Sequence, residues 1–349
     1  MKSVVVHAGG KMTVEECPMP VISAADDVLV RIAYSGLCGS DIPRIFANSS
    51  HFYPITLGHE FSGQVVSTGE DIHDLQEGDA VACVPLLPCF QCEECKQTAY
   101  SQCKHYQFIG SRRHGGHAEY VVVPRHNLFK LPQGASLLHG AFLEPVTVGL
   151  HALKLAGGCR GKEVIVIGAG TIGQLIIQAA SASGASSVTA IDINPQRLAL
   201  ARETGASHVF NSATTGADDI RQQTHERRFN QLIIETARTP QTVALSLDIA
   251  GPKAQVALVG TLHKDLTLNV ATLSHILRKE LTLLGSWMNY SAPWPGSEWQ
   301  QAMQLFAENK LNLEPLIASI GDPDEFVREV TALAGKPMTG KILLNMTGS

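Results

Sequence analysis

Short runs of consecutive apolar residues alternate with stretches of helical periodicity between residues 163 and 285. Glu163–Ile167 is a continuous apolar run after its first residue, the pattern of a strand buried on both faces. Residues 187–191, 209–210, 232–235, 255–260 and 281–285 repeat it, with helical segments between. Strands alternating with helices predict a doubly wound parallel sheet. The first third of the chain is patterned differently. Residues 27–34 alternate polar and apolar, and residues 3–6, 80–84 and 118–123 read as further strands. Residues 299–308 and 324–333 read as helices, and 341–344 is a last strand expected to return to the first region. A chain of 349 residues exceeds one ordinary core. Two domains are expected: a β-rich one over 1–148 and 287–349, and a doubly wound one over 149–286.

Composition narrows the function classes. Hydrophobic residues make up 44% and charged residues 17%, the balance of a globular protein. The formal net charge is −5, and no block of Lys and Arg marks a nucleic-acid or membrane surface. The apolar runs are too short for a secretion signal or a membrane span, so a soluble, cytoplasmic protein is expected. Eight cysteines in such a chain point to metal ligands or buried thiols rather than disulfides.

Four clusters carry chemistry. Gly36-Leu37-Cys38-Gly39-Ser40-Asp41 exposes a thiol between glycines, and Gly58-His59-Glu60 adds an imidazole and a carboxylate. Cys, His and carboxylate are the side chains that bind zinc, and a mixed set leaves a coordination position open. His59 and Glu60 on a regular strand would face opposite ways, so both can reach one metal only if the backbone is irregular. Gly58 permits that. Glu144 lies in the apolar stretch Phe142-Leu143-Glu144-Pro145, ahead of a helical segment over 146–154; a buried carboxylate needs a partner, and a metal or its water would serve. Cys89, Cys92, Cys95 and Cys103 form a closed four-thiol set within a lobe over about residues 86–106, the signature of a structural zinc. Finally, Gly168-Ala169-Gly170-Thr171-Ile172-Gly173 follows a strand and opens a helix, and Asp192 ends the next strand. In that context GxGxxG binds a dinucleotide pyrophosphate. Asp192 would accept the ribose hydroxyls and repel a 2′-phosphate, favouring NAD over NADP; Arg197 nearby argues the other way. The cationic loop over 109–116 offers Arg112 and Arg113 as anion receptors.

Taken in this order, Cys38, His59-Glu60, the four cysteines, Glu144-Pro145 and GAGTIG resemble the zinc-dependent medium-chain alcohol and polyol dehydrogenases, in particular the sorbitol dehydrogenase branch. The resemblance covers essentially the whole chain. It implies a GroES-like catalytic domain, a Rossmann domain, NAD, one catalytic and one structural zinc, and a homodimer or homotetramer. The catalytic zinc would be held by Cys38, His59 and either Glu60 or Glu144, with Ser40 accepting the substrate proton. Segments 43–46, 81–90, 108–113 and 287–296 are similar to a branch acting on phosphorylated sugar alcohols, which implies Arg44, Arg112 or Arg113 as phosphate receptor and Asn289 and Tyr290 near substrate hydroxyls. The same catalytic set would serve a non-phosphorylated polyol, a diol or threonine. A non-catalytic zinc- and nucleotide-binding protein is the alternative from another class. One departure stands out: the family carries a relay His five residues after the ligand cysteine, and here that residue is Pro43.

Overall fold

A computed structural model describes residues 1–224 and 229–348. The chain divides into two compact units. The first comprises Met1–Glu144, Ser291–Trp299 and Leu316–Ser349, and the second Pro145–Tyr290 and Gln300–Pro315. The sequence placed 300–315 with the first region. The difference has a local cause: Gln178 and Asn312 exchange two hydrogen bonds, Gln178 Nε2 donating to the Asn312 carbonyl at 3.1 Å and the Asn312 amide to Gln178 Oε1 at 2.6 Å.

The first unit is built on an antiparallel-dominated sheet. The long strand Asp27–Gly36 pairs with Glu60–Thr68, Tyr120–Pro124 and Lys341–Asn345. The last strand therefore returns to this unit, as its apolar pattern implied. Register matters here: Gly36 lies opposite both Glu60 and Leu343. That pairing brings two segments nearly three hundred residues apart onto the end of one strand. Leu37, Leu57 and Phe61, each a chain neighbour of a site residue or its turn, are fully buried in the core of this unit. Burial of such side chains contributes roughly 1.5–3 kcal/mol each, and it pins the polar residues between them.

The second unit holds six parallel strands in the order His208–Asn211, Ser187–Asp192, Glu163–Ile167, Gln231–Glu235, Gln255–Leu258, Thr282–Gly285. In chain order this is 3-2-1-4-5-6, the Rossmann arrangement, and the order reverses between Glu163–Ile167 and Gln231–Glu235. Every residue of these two central strands is buried. This matches the apolar middles of both strands, since helices cover both faces, and at their starts Gln231 Nε2 donates to Glu163 Oε2 at 2.8 Å. One boundary differs from expectation. The helix expected over 146–154 spans Leu143–Leu155, so Glu144 sits in its first turn. Pro145 is tolerated there because first-turn N–H groups have no intrahelical partner.

Candidate active site and metal centres

Three of the expected ligands converge. One ligand atom from each of Cys38, His59 and Glu60 lies within 4.8 Å of the other two. Irregular backbone makes this possible. Gly58 has φ +96°, and the strand begins only at Glu60, so His59 is turned out of the strand alternation. The turn is clamped from outside: the amides of Gly115, Gly116 and His117 donate to the carbonyls of Thr56, Gly58 and Leu57 at 2.8–2.9 Å. His117 is itself buried and hydrogen-bonded through Nδ1 to Ser35 Oγ at 2.9 Å. Burial, foremost, pushes its pKa down to about 4, so it is a neutral strut.

The donor set fits a zinc ion. It combines soft sulfur, imidazole nitrogen and hard oxygen. His59 Nδ1 is buried without a hydrogen-bond partner, with Asp41 Oδ1 at 3.8 Å. Burial and then the Glu60 carboxylate push the Cys38 thiol up to about 12. A thiol so placed is deprotonated when a divalent cation sits beside it. Glu144 lies in the same unit, is buried, and also acts electrostatically on Cys38, but it does not belong to the group of converging ligand atoms.

Two further residues shape the centre, and neither was recognised from the chain. Lys341 Nζ pairs with Glu60 Oε2 and donates to the Leu37 carbonyl at 3.2 Å; both charged side chains are almost fully buried. Burial works against the ammonium, but Glu60 and Cys38 outweigh it and hold the Lys341 pKa above its ordinary value. Gly36 makes room, since a Cβ there would stand 2.7 Å from Glu60 Oε2. Asp41, fully buried, accepts from the Cys38 amide at 3.2 Å and from Arg44 Nη1 at 2.9 Å. Lys341 could be found only from strand register, being 281 residues from Glu60. Asp41 had a signal in GSD, one residue beyond Ser40.

Ser40 is exposed; its amide lies 3.5 Å from Cys38 Sγ and its Oγ accepts from Arg44 Nη1 at 3.1 Å. Pro43 lies within the short helix Asp41–Phe46.

The four cysteines also come together. Their sulfurs lie within 4.8 Å of one another and none is in a disulfide. A tetrahedral site with Zn–S of about 2.3 Å has sulfur–sulfur edges of about 3.8 Å; Cys92 and Cys103 are 3.7 Å apart. Backbone amides already address the sulfurs, Cys92 N to Cys89 Sγ and Cys89 N to Cys103 Sγ, each at 3.3 Å. Hydrogen bonds from the Gln91 and Cys92 amides lower the Cys89 pKa to about 6.

In the second unit Gly168 turns the chain at φ +95°, and Gly170 precedes the helix Thr171–Ala182, whose first turn holds Thr171 and Ile172. A Cβ on Gly173 would meet the Gly168 carbonyl at 1.8 Å, so only glycine allows this helix to start so close to the strand. Asp192 accepts from the Ala169 amide at 2.7 Å and the Asn194 amide at 2.8 Å, which fixes its carboxylate beside the glycine turn. Arg197 Nη1 lies 3.7 Å from Asp192 Oδ2, so the two charges that argued for different dinucleotides are paired. Asn289 is fully buried and donates to Thr147 Oγ1 at 2.6 Å, and Tyr290 is buried beside it in sequence.

Residues 24–133 match the alcohol dehydrogenase GroES-like domain, and residues 171–308 match the zinc-binding dehydrogenase domain. Galactitol 1-phosphate 5-dehydrogenase of Escherichia coli K12 is 59% identical over 344 residues, 99% of each chain. The chain belongs to the zinc-binding alcohol dehydrogenase family. D-xylulose reductase A of Aspergillus oryzae is 30% identical over 95% of this chain and 94% of its own. Among solved structures, galactitol-1-phosphate dehydrogenase from Escherichia coli superposes with a TM-score of 0.97 over 99% of this chain and 100% of that one, at 59% identity. The chain is therefore an oxidoreductase of the GroES-like plus Rossmann type, with zinc and a nicotinamide dinucleotide as cofactors. Among the described residues no helix is long and apolar enough to cross a membrane.

Proposed function

We propose that this protein oxidises galactitol 1-phosphate to tagatose 6-phosphate, passing hydride to NAD. The observation that carries this reading is 59% identity across 99% of both chains to the Escherichia coli enzyme of that name. Cys38, His59 and a carboxylate, Glu60 or Glu144, would hold the catalytic zinc. Bound there, zinc supplies Lewis acidity to the substrate hydroxyl. Gly168, Gly170, Thr171, Ile172, Gly173 and Asp192 would hold NAD, which supplies the hydride acceptor.

The chain's own groups position and move the proton. A hydroxyl has two acceptor lone pairs and one donor hydrogen. Arg44 occupies one lone pair of Ser40 Oγ. The other is left to accept from the substrate hydroxyl, and the Ser40 O–H to donate onward. Asp41 keeps Arg44 and the Cys38 amide in place for this. Pro43 has no N–H and no basic side chain, so onward release runs through water rather than the family's relay imidazole.

A carboxylate has two oxygens, so Glu60 can pair with Lys341 and still converge with Cys38 and His59, which favours Glu60 over Glu144 as the carboxylate ligand of the resting site. We also infer a homodimer, formed by a second copy across the edge strand Thr282–Gly285. That strand has one neighbour in its sheet, with Leu283 43% exposed, and the helix Val270–Arg278 turns Val270 and Leu277 to solvent at 80% and 76%.

The test of the substrate is kcat/KM with NAD for galactitol 1-phosphate, sorbitol and threonine in parallel. Galactitol 1-phosphate is expected to lead by more than tenfold. A lead for threonine or sorbitol would overturn the assignment.

A further inference from the structure

The basic side chains that the sequence offered as anion receptors fall in different places. Arg113 lines a cavity of about 560 Å³ together with Cys17, Val21, Asp27 and Tyr120, a lining that includes neither Cys38 nor Ser40. Arg44 and Arg112 are instead tied to the metal-ligand cluster. Arg44 reaches Ser40, whose amide lies 3.5 Å from Cys38 Sγ. The Arg112 and Arg113 amides both donate to the Phe108 carbonyl, at 2.9 and 3.1 Å, and the Phe108 ring stands edge-on to His59 at 5.5 Å; the two arginines part at their side chains, Arg112 lying over Tyr106 and Arg113 lining the cavity. A third group joins Arg44 and Arg112. His51 lies within electrostatic reach of both arginines, which add to burial in disfavouring its protonation. Its loop is bound to Arg44, with Tyr53 OH donating to the Arg44 carbonyl at 2.5 Å and the Ser50 amide to Tyr53 OH at 3.1 Å.

We propose that Arg112, with Arg44 and His51 beside it, is the receptor for the substrate's phosphate, and that Arg113 is not part of it. This rests on the reading that the substrate is a phosphorylated polyol. The two arginines differ in what they can spare. Arg44 is ion-paired with Asp41. Arg112 has no carboxylate partner among the described residues. Its guanidinium lies over the Tyr106 ring at 4.4 Å and donates through Nη2 to Tyr106 OH at 3.3 Å. Stacking fixes the plane of the guanidinium and leaves other N–H groups at its edge. A guanidinium held this way matches two phosphate oxygens and loses little further freedom on binding. The galactitol phosphate is at the far end of the carbon chain from the hydroxyl oxidised. A receptor one residue shell outside the metal ligands, on the loops carrying Phe108 and Ser40, is where that end belongs. His51 supplies an imidazole N–H.

The experiment compares galactitol 1-phosphate with galactitol in the zinc-loaded enzyme and in Arg112→Ala, Arg112→Lys, His51→Ala and Arg113→Ala. The readout is the ratio of the two kcat/KM values. Losing a charge-assisted pair is expected to lower that ratio about 10- to 100-fold in Arg112→Ala. Arg112→Lys, which keeps the charge and loses the fork, should fall between; His51→Ala should lower the ratio severalfold, and Arg113→Ala should leave it unchanged. Inorganic phosphate should inhibit the parent and lose its effect in Arg112→Ala. A ratio unchanged in Arg112→Ala, or a fall confined to Arg113→Ala, overturns the receptor assignment. If the parent itself shows no preference for the phosphorylated polyol, it is the substrate reading that fails.

Discussion

A methyl group on Gly58 would stand 2.6 Å from His117 Nδ1 and 2.7 Å from the His117 amide, at a backbone φ of +96°. Left-handed backbone costs a non-glycine residue roughly 1–2 kcal/mol, and overpacking adds roughly 1–3 kcal/mol. Gly58→Ala is thus expected to lower stability by about 2–5 kcal/mol in urea unfolding and to release zinc from the catalytic site before the four-cysteine site; full stability would contradict the clamp. Lys341 is the other demanding position. Its pairing with Glu60 is inside the protein, so removing one partner leaves a buried charge uncompensated, at a cost of about 3–5 kcal/mol. Lys341→Met should show that loss in urea unfolding, and a change below about 1 kcal/mol would mean that the pair is solvated. At the metal, Cys38→Ser should abolish turnover while NADH still binds the second unit, measured by fluorescence titration. Near-normal turnover would remove Cys38 from the ligand set.

Segments organise these residues. The loop carrying Cys89, Cys92, Cys95 and Cys103 packs onto the rest of its unit through aromatic rings: Phe90 meets His126 and Trp294 edge-on at 5.3 and 5.4 Å, Tyr100 meets Trp294 at 5.2 Å, and Trp294 Nε1 donates to the His126 carbonyl at 2.8 Å. Metal at this loop therefore supports a surface well beyond the cysteines. Cys92→Ser is expected to reduce zinc from two to one per chain, to lower Tm, and to change tryptophan fluorescence through Trp294; two zinc ions per chain after the substitution would contradict the structural site. The clusters readable from the chain are those whose members are near neighbours. Cys38 with Ser40, His59 with Glu60, the four thiols and the glycine turn are all local, and spacing alone suggests their chemistry. Lys341 and the clamp of Gly115, Gly116 and His117 act across the fold, and sequence distance hides them; Asp41 is local, three residues from both Cys38 and Arg44, and its role shows only in its burial and hydrogen bonds. The helix start at Leu143 was missed for a different reason, since Pro145 resembles a break until its first-turn position is known.

For the chain as a whole, apolar runs of strand length were enough to foresee six parallel strands, because central strands covered on both faces are apolar through their middle and carry polar residues only at their ends, Glu163, Gln231 and Glu235. The place of Gln300–Pro315 was not foreseeable, as its ties to the second unit are long-range polar contacts, Asn312 with Gln178 and Gln301 with Ser183. The edge strand Thr282–Gly285 shows the opposite pattern, largely exposed, and with Val270 and Leu277 it accounts for the inferred dimer. Leu277→Glu with Leu283→Lys should convert a dimer to monomers in sedimentation velocity, and an unchanged oligomer would place the interface elsewhere. The central claim, a zinc-assisted hydride transfer from the polyol phosphate to NAD, is tested most directly by isotope. Galactitol 1-phosphate carrying deuterium on the carbon to be oxidised is incubated with the zinc-loaded enzyme and NAD, and both products are weighed by mass spectrometry. The expected result is singly deuterated NADH and unlabelled tagatose 6-phosphate. Unlabelled NADH, or no reduction at all, would contradict the account.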